Sequence, residues 1–168
     1  MGIKEALGID IGGVIISRLR DATDTSFLSD NFLDTPAVPD ALEVIRRLVN
    51  ERFNGRVFLV SKGGPRIQAK TRRWLKHHRF FEVTGVKPKN VHFCLERSEK
   101  AQICRKLKIT HFIDDRVDVL DSLRDVNCLL FEPRGASGIA RSSSIRRARS
   151  WSEIAEMLLA KSTRIPVL

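Results

Sequence analysis

Five side chains of reactive or metal-binding type fall just past apolar runs in this chain. Asp10 ends the run "ALGID", Ser61 and Lys62 follow "RVFLV", and Asp114 and Asp115 follow "HFI". A carboxylate can attack phosphorus or hold a cation, while a hydroxyl and an ammonium can hold an anion. Gly12 and Gly13 come directly after Asp10, a pair that lets the backbone turn and approach a ligand closely. Asp10 with a glycine turn suits two kinds of phosphate chemistry: a loop that cradles the phosphates of a nucleotide, or a carboxylate that is itself the nucleophile. Taken alone, the stretch also fits ordinary strand punctuation. The recurrence of reactive types past several strands argues against that bland reading.

The elements that must position these residues alternate. Apolar runs at 7–16, 56–60, 91–94, 111–113 and 127–131 read as buried strands. Helical patterns lie between and after them, over 39–51, 65–78, 100–107, 117–123 and 151–159. Such alternation predicts one three-layer, Rossmann-like α/β domain over 1–168, with a mostly parallel five-stranded sheet and helices on both faces. In open sheets of this kind, ligands bind at the carboxyl ends of the strands, where the five side chains fall.

The chain has 168 residues, 42% hydrophobic, the length of one domain with a proper core. It has no long uncharged apolar run, and its start lacks a signal peptide's pattern, so the expectation is a soluble cytoplasmic protein without a membrane partner. Cys94, Cys104 and Cys128 are odd in number and widely spaced, which disfavours a disulfide framework or a zinc site. His77, His78, His92 and His111 show no metal-ligand spacing. A formal charge of +10 favours anionic partners, whether nucleotides, phosphoesters or nucleic acid.

Four stretches, taken in order, resemble the motifs of the haloacid dehalogenase (HAD) superfamily. "GIDIGGVII" looks like its first motif with Asp10 as nucleophile, and "VFLVSKGG" like its second with Ser61 at the phosphate. "RSEKAQICRKL" carries a lysine, Lys100, in the manner of the third, and "HFIDDRVDVL" resembles the fourth through Asp114 and Asp115. The other phosphate-binding reading, that of actin-like and sugar-kinase ATPases, lacks the threonine after the second glycine and the length for a second lobe. The resemblance implies a Mg²⁺-dependent phosphomonoester hydrolase working through an aspartyl-phosphate at Asp10. Asp10, Asp115, Asp114 and the carbonyl of Gly12 are then the expected metal ligands, with Asp115 preferred over Asp114. Gly12, Gly13, Ser61, Lys62 and Lys100 are expected to bind substrate, with Lys87 as the alternative to Lys100. The substrate would be a phosphorylated small molecule or nucleotide, or a nucleic-acid end.

One departure stands out. Many HAD phosphatases carry a second aspartate two residues after the nucleophile to protonate the leaving group, and here that position is Gly12. A positioned general acid typically contributes about 10²- to 10⁴-fold in rate. Three explanations stand: a leaving group needing little protonation, an acid from the following loop, which holds Asp21, Asp24, Asp30 and Asp34, or binding without turnover. The spacing before residue 39 leaves no room for a large cap domain.

Two basic features support a different kind of function, a catalytically weak domain that binds nucleic acid or a phosphorylated partner. Residues 62–81 contain seven Lys or Arg and no acid. Ile67, Thr71, Trp74, Leu75 and His78 form one helical face, and Arg66, Lys70, Arg73 and His77 an opposite one expected in solvent. The segment at about 133–150 reads as a Gly/Ser/Arg-rich loop holding Arg134, Arg141, Arg146, Arg147 and Arg149, before a final helix at about 151–160.

Overall fold

The computed structural model describes residues 2–18, 29–135 and 144–160. Asp21, Asp24 and Arg141 lie outside them. Six parallel strands form one sheet: β1 (Leu7–Ile9), β2 (Val57–Lys62), β3 (Val91–Cys94), β4 (His111–Asp114), β5 (Asn127–Phe131) and β6 (Arg146–Ala148). Their spatial order is β3-β2-β1-β4-β5-β6. The helices are α1 (Ala41–Glu51), α2 (Pro65–His77), α3 (Phe80–Thr84), α4 (Glu99–Leu107), α5 (Val117–Ser122) and α6 (Trp151–Leu159).

The sheet separates two apolar clusters. One gathers Ile45 and Leu48 of α1, Trp74 and Leu75 of α2, Phe80 of α3 and Trp151 and Ile154 of α6 with strand residues such as Ile9 and Leu59. The other gathers Cys104 of α4 and Leu120 of α5 with Val60, Phe112 and Leu130. Two buried tryptophans satisfy their indole N–H groups on backbone carbonyls, Trp74 on Thr35 at 2.8 Å and Trp151 on Val14 at 2.8 Å. Those bonds remove the cost of burying a polar N–H and tie both helices to the segments that follow β1.

The apolar stretch 7–16 is not one strand, and the reason is local. After Ile9 the chain turns: Ile15 N donates to the carbonyl of Ile11 at 2.8 Å, and Gly13 N to that of Ile16 at 2.8 Å. Gly13 has φ +81°, which glycine adopts without strain. Val14, Ile15 and Ile16 are buried by the helices packed over the turn, and apolar content alone cannot distinguish that burial from a strand's.

Two further expectations are corrected. The sheet has six strands rather than five, because part of the Arg-rich segment pairs with β5, Leu129 opposite Arg146 and Phe131 opposite Ala148. Arg147 pays for its place at the sheet edge by an ion pair with the buried Glu132 at 2.6 Å. Lys70 does not face solvent; it is 9% exposed, its ammonium donating to the Ser29 carbonyl at 2.9 Å and lying 4.9 Å from the Phe32 ring centre. Arg73 reaches the Phe32 ring at 5.1 Å yet stays exposed, as do Arg66 and His77, all three as expected.

The three cysteines are free and buried, and burial pushes the Cys104 thiol up to about 12 and the Cys128 thiol to about 11. At such values neither offers a thiolate near neutrality, so both serve as small core residues.

Gly8 lies in register with Phe112, and a β-carbon there would stand 2.5 Å from the phenyl ring. Gly8→Ala is therefore expected to lower the unfolding free energy by about 1–3 kcal/mol through overpacking. Urea denaturation of the two proteins checks this.

Candidate active site

The strand order reverses direction between β1 and β4, which makes a crevice at their carboxyl ends. Ile9 pairs with Ile113, so the next residues, Asp10 and Asp114, emerge side by side on one face of the sheet. Asp10 N donates to the Ile113 carbonyl at 2.9 Å and fixes that placement. α4 runs along the neighbouring side, and Lys100 in its first turn reaches between the two carboxylates. Its ammonium stands 3.1 Å from Asp10 Oδ1 and 2.8 Å from Asp114 Oδ2.

All three groups are nearly sealed from water. Burial pushes the Lys100 ammonium down, but Asp10 and Asp114 together outweigh that and hold its pKa above the ordinary lysine value. Burial, then the charge of Asp10, raises the Asp114 carboxyl well above the usual range, with Lys100 opposing. Asp114 Oδ1 also accepts from Arg116 N at 3.0 Å. Asp115 points toward the same place. Its carboxyl is likewise raised, by burial first and Asp10 second, against the pull of Arg18, whose guanidinium lies 3.0 Å from Asp115 Oδ2.

Oxygen atoms of Asp10, Asp114 and Asp115 all lie within 4.8 Å of one another. Asp115 Oδ1 is buried with no hydrogen-bond partner. An all-carboxylate set with an orphaned buried oxygen fits a small hard dication.

A cleft of about 420 Å³ opens over Asp10. Gly12, Gly13, Ser61, Lys62 and Lys100 line it, so the structure brings these sequence-derived candidates together around one cavity. Gly63 and Gly64 line it as well, and α2 starts there with no side chain capping its first amides. Those free N–H groups are suited to an anion. The start of α4 differs: Leu95 N and Glu96 N, just ahead of it, are held by the Glu99 carboxylate at 2.9 and 2.7 Å. Lys87, the alternative lysine, precedes a 3-10 turn (Pro88–Asn90) and does not line the cleft.

Sequence reasoning passed over Arg18, Arg97 and Arg116, which also line the cavity. Arg97 and Arg116 sit close to Lys100 and Asp115 in the chain, the one signal available. Nothing in the sequence marks Arg18, whose approach depends on the turn after Asp10. Of the loop acids, Asp30 and Asp34 are described and neither lines the cleft.

No protein-family model matches the chain. Its structure is similar to that of a dehalogenase in an intermediate complex, at a TM-score of 0.68 and 12% identity, covering 96% of this chain and 100% of that one. It is also similar to the D,D-heptose 1,7-bisphosphate phosphatase of Burkholderia thailandensis, at a TM-score of 0.60 and 20% identity over 94% of this chain and 100% of the other. The chain shares its fold with these proteins and with haloacid dehalogenase-like hydrolases of known structure. In sequence, the chain is 26% identical over 99 residues to an Oceanobacillus iheyensis protein named "Putative nucleotidase". That match takes in 59% of this chain and spans about half, 50%, of the relative's length.

Lys100→Met leaves Asp114 buried beside Asp10 without its counter-charge. The expected loss is about 3–5 kcal/mol near neutral pH. A carboxyl whose folded pKa lies above its unfolded one binds more protons when folded, so stability is lost as pH rises through that window. The variant's deficit therefore shrinks on acidification, which urea titrations in metal-free buffer at about pH 5 and about pH 7.5 detect.

Proposed function

We propose that this chain is a phosphohydrolase of HAD type, dependent on Mg²⁺, that acts through an aspartyl-phosphate at Asp10. The observation that carries the reading is the Asp10–Lys100–Asp114 triad beside a cleft whose other charged lining residues, among those described, are all cations.

Each residue has work to do in that reaction. Lys100 aims Asp10 by its short ion pair, and its charge offsets that of the incoming phosphoryl group. Asp114 holds Lys100 from behind. Ser61 and the amides at the start of α2, which line the cleft, would donate to phosphate oxygens. The divalent cation would be held by Asp10 and Asp115, whose Oδ1 needs a partner, with Asp114 and the Gly12 carbonyl beside them. When bound it supplies charge neutralisation between two anions that otherwise repel, the carboxylate and the phosphate. Asp10 attacks phosphorus, the leaving group departs into the cleft, and water then hydrolyses the acyl phosphate to free Asp10 again. A nucleotide, a sugar phosphate or a phosphorylated nucleic-acid end is the substrate class this reading supports, with the nucleotide favoured by the nucleotidase-named relative.

Phosphate release from p-nitrophenyl phosphate and a panel of nucleotides and sugar phosphates tests the assignment. Activity is expected to need Mg²⁺, to vanish with a chelator, and to fall by several orders of magnitude in Asp10→Asn. A wild-type protein that turns over nothing on the panel, yet binds phosphorylated oligonucleotides in a salt-sensitive way, would make it a binding domain instead.

A further inference from the structure

Among the described residues, the cleft holds no acid suited to protonating a leaving group. Among the described residues, Asp10 is the only carboxylate lining it and no histidine does. Its remaining charged groups among the described residues are Lys62, Lys100, Arg18, Arg97 and Arg116, five cations against one anion. A guanidinium does not give up its proton in proteins, and an ordinary lysine ammonium titrates far from neutrality, where acid catalysis is inefficient. Beside Asp10, the space at position 12 is open: a β-carbon on Gly12 would meet only Arg18 Nη2, at 3.6 Å. A cation therefore stands where a side chain from position 12 would project.

The cations exceed what one phosphoryl group requires. Lys100 is committed to Asp10 and Asp114, Arg18 to Asp115, and Arg116 to Asp118 at 3.0 Å. The side chains of Lys62 and Arg97 enter no ion pair among the described residues, although Arg97 is near enough to Asp118 to help hold its carboxyl low, and both line the cleft. Two cations with no ion-pair partner among the described residues, over a site already equipped for one phosphate, call for a second anionic group.

We propose that the substrate is a phosphoanhydride, an inorganic or organic diphosphate, whose departing phosphate is received by Lys62 and Arg97. This rests on the phosphohydrolase reading and narrows its substrate. Asp10 bonds to the terminal phosphorus while the bond from that phosphorus to the bridging oxygen breaks, and the electron pair leaves on that oxygen. The departing group is a phosphate, which ionises with a second pKa of about 6 and so needs no proton as it leaves. The alkoxide of a sugar or nucleoside is a much stronger base and does need one. Water then attacks the acyl phosphate, the Asp10 carboxylate leaves, and the water's protons pass to the released orthophosphate and on to the buffer.

The test compares kcat/KM for pyrophosphate and ADP with those for AMP, glucose 6-phosphate and p-nitrophenyl phosphate in Mg²⁺ buffer. The diphosphates are expected to exceed AMP and glucose 6-phosphate by about 10²-fold or more, the lower end of what a missing general acid forfeits. Gly12→Asp is expected to narrow that ratio by raising monoester turnover. Arg97→Ala is expected to cost more on ADP than on p-nitrophenyl phosphate. Equal turnover of AMP and ADP, or turnover of p-nitrophenyl phosphate with none of either diphosphate, overturns the anhydride assignment and leaves the phosphohydrolase standing. Release of phosphate from no substrate at all overturns both.

Discussion

A lysine ammonium buried between two carboxylates is the constraint around which the rest of this structure is arranged. Burial works against the Lys100 ammonium, and the charges of Asp10 and Asp114 outweigh it; burial likewise works against the Asp114 carboxylate, with Lys100 opposing. The triad closes only if β1 and β4 are adjacent and in the observed register, and only if α4 begins beside them. Sheet order, strand register and helix placement are all needed to bring these three charges within hydrogen-bonding distance.

What surrounds the triad follows from the same economy of charge. Asp114 spends its oxygens on Lys100 and the Arg116 amide and is sealed from the cleft. Asp115, one residue on, keeps an oxygen without a partner and leans on Arg18. The adjacent pair thus divides into an inner residue that positions the lysine and an outer one able to meet a cation. Gly13 allows this crowding: with its φ of +81°, a β-carbon there would lie 2.5 Å from Asp115 Oδ2. The turn that brings Arg18 over the site is held by buried Val14 and Ile15, so the core and the cleft share one segment.

Much of the architecture could be read from periodicity. β3, β5 and α6 have the limits their patterns predict, and the candidates Asp10, Ser61, Lys62, Lys100, Asp114 and Asp115 each lie at a strand end or helix start. Other features escaped because their signals are not local. The end of β1 depends on helices packing over Val14 to Ile16, and β6 on an open edge offered by β5. Lys70 is drawn from the expected solvent face by the Ser29 carbonyl and the Phe32 ring, neither of which a helical wheel contains.

The chain's own order of residues determined the alternation of strands and helices, the reactive types at their ends, the excess of positive charge and the absence of an acid at Gly12. Those are properties of spacing and composition, carried by side-chain periodicity and by bonds along the chain. The tertiary structure decided which charges meet: Lys100 with Asp10 and Asp114, and Arg18 with Asp115, while Arg97 and Lys62 enter no ion pair among the described residues. Such pairings are settled by strand register and by the cost of leaving a charge dry and alone, and both arise only once segments distant in sequence have packed together.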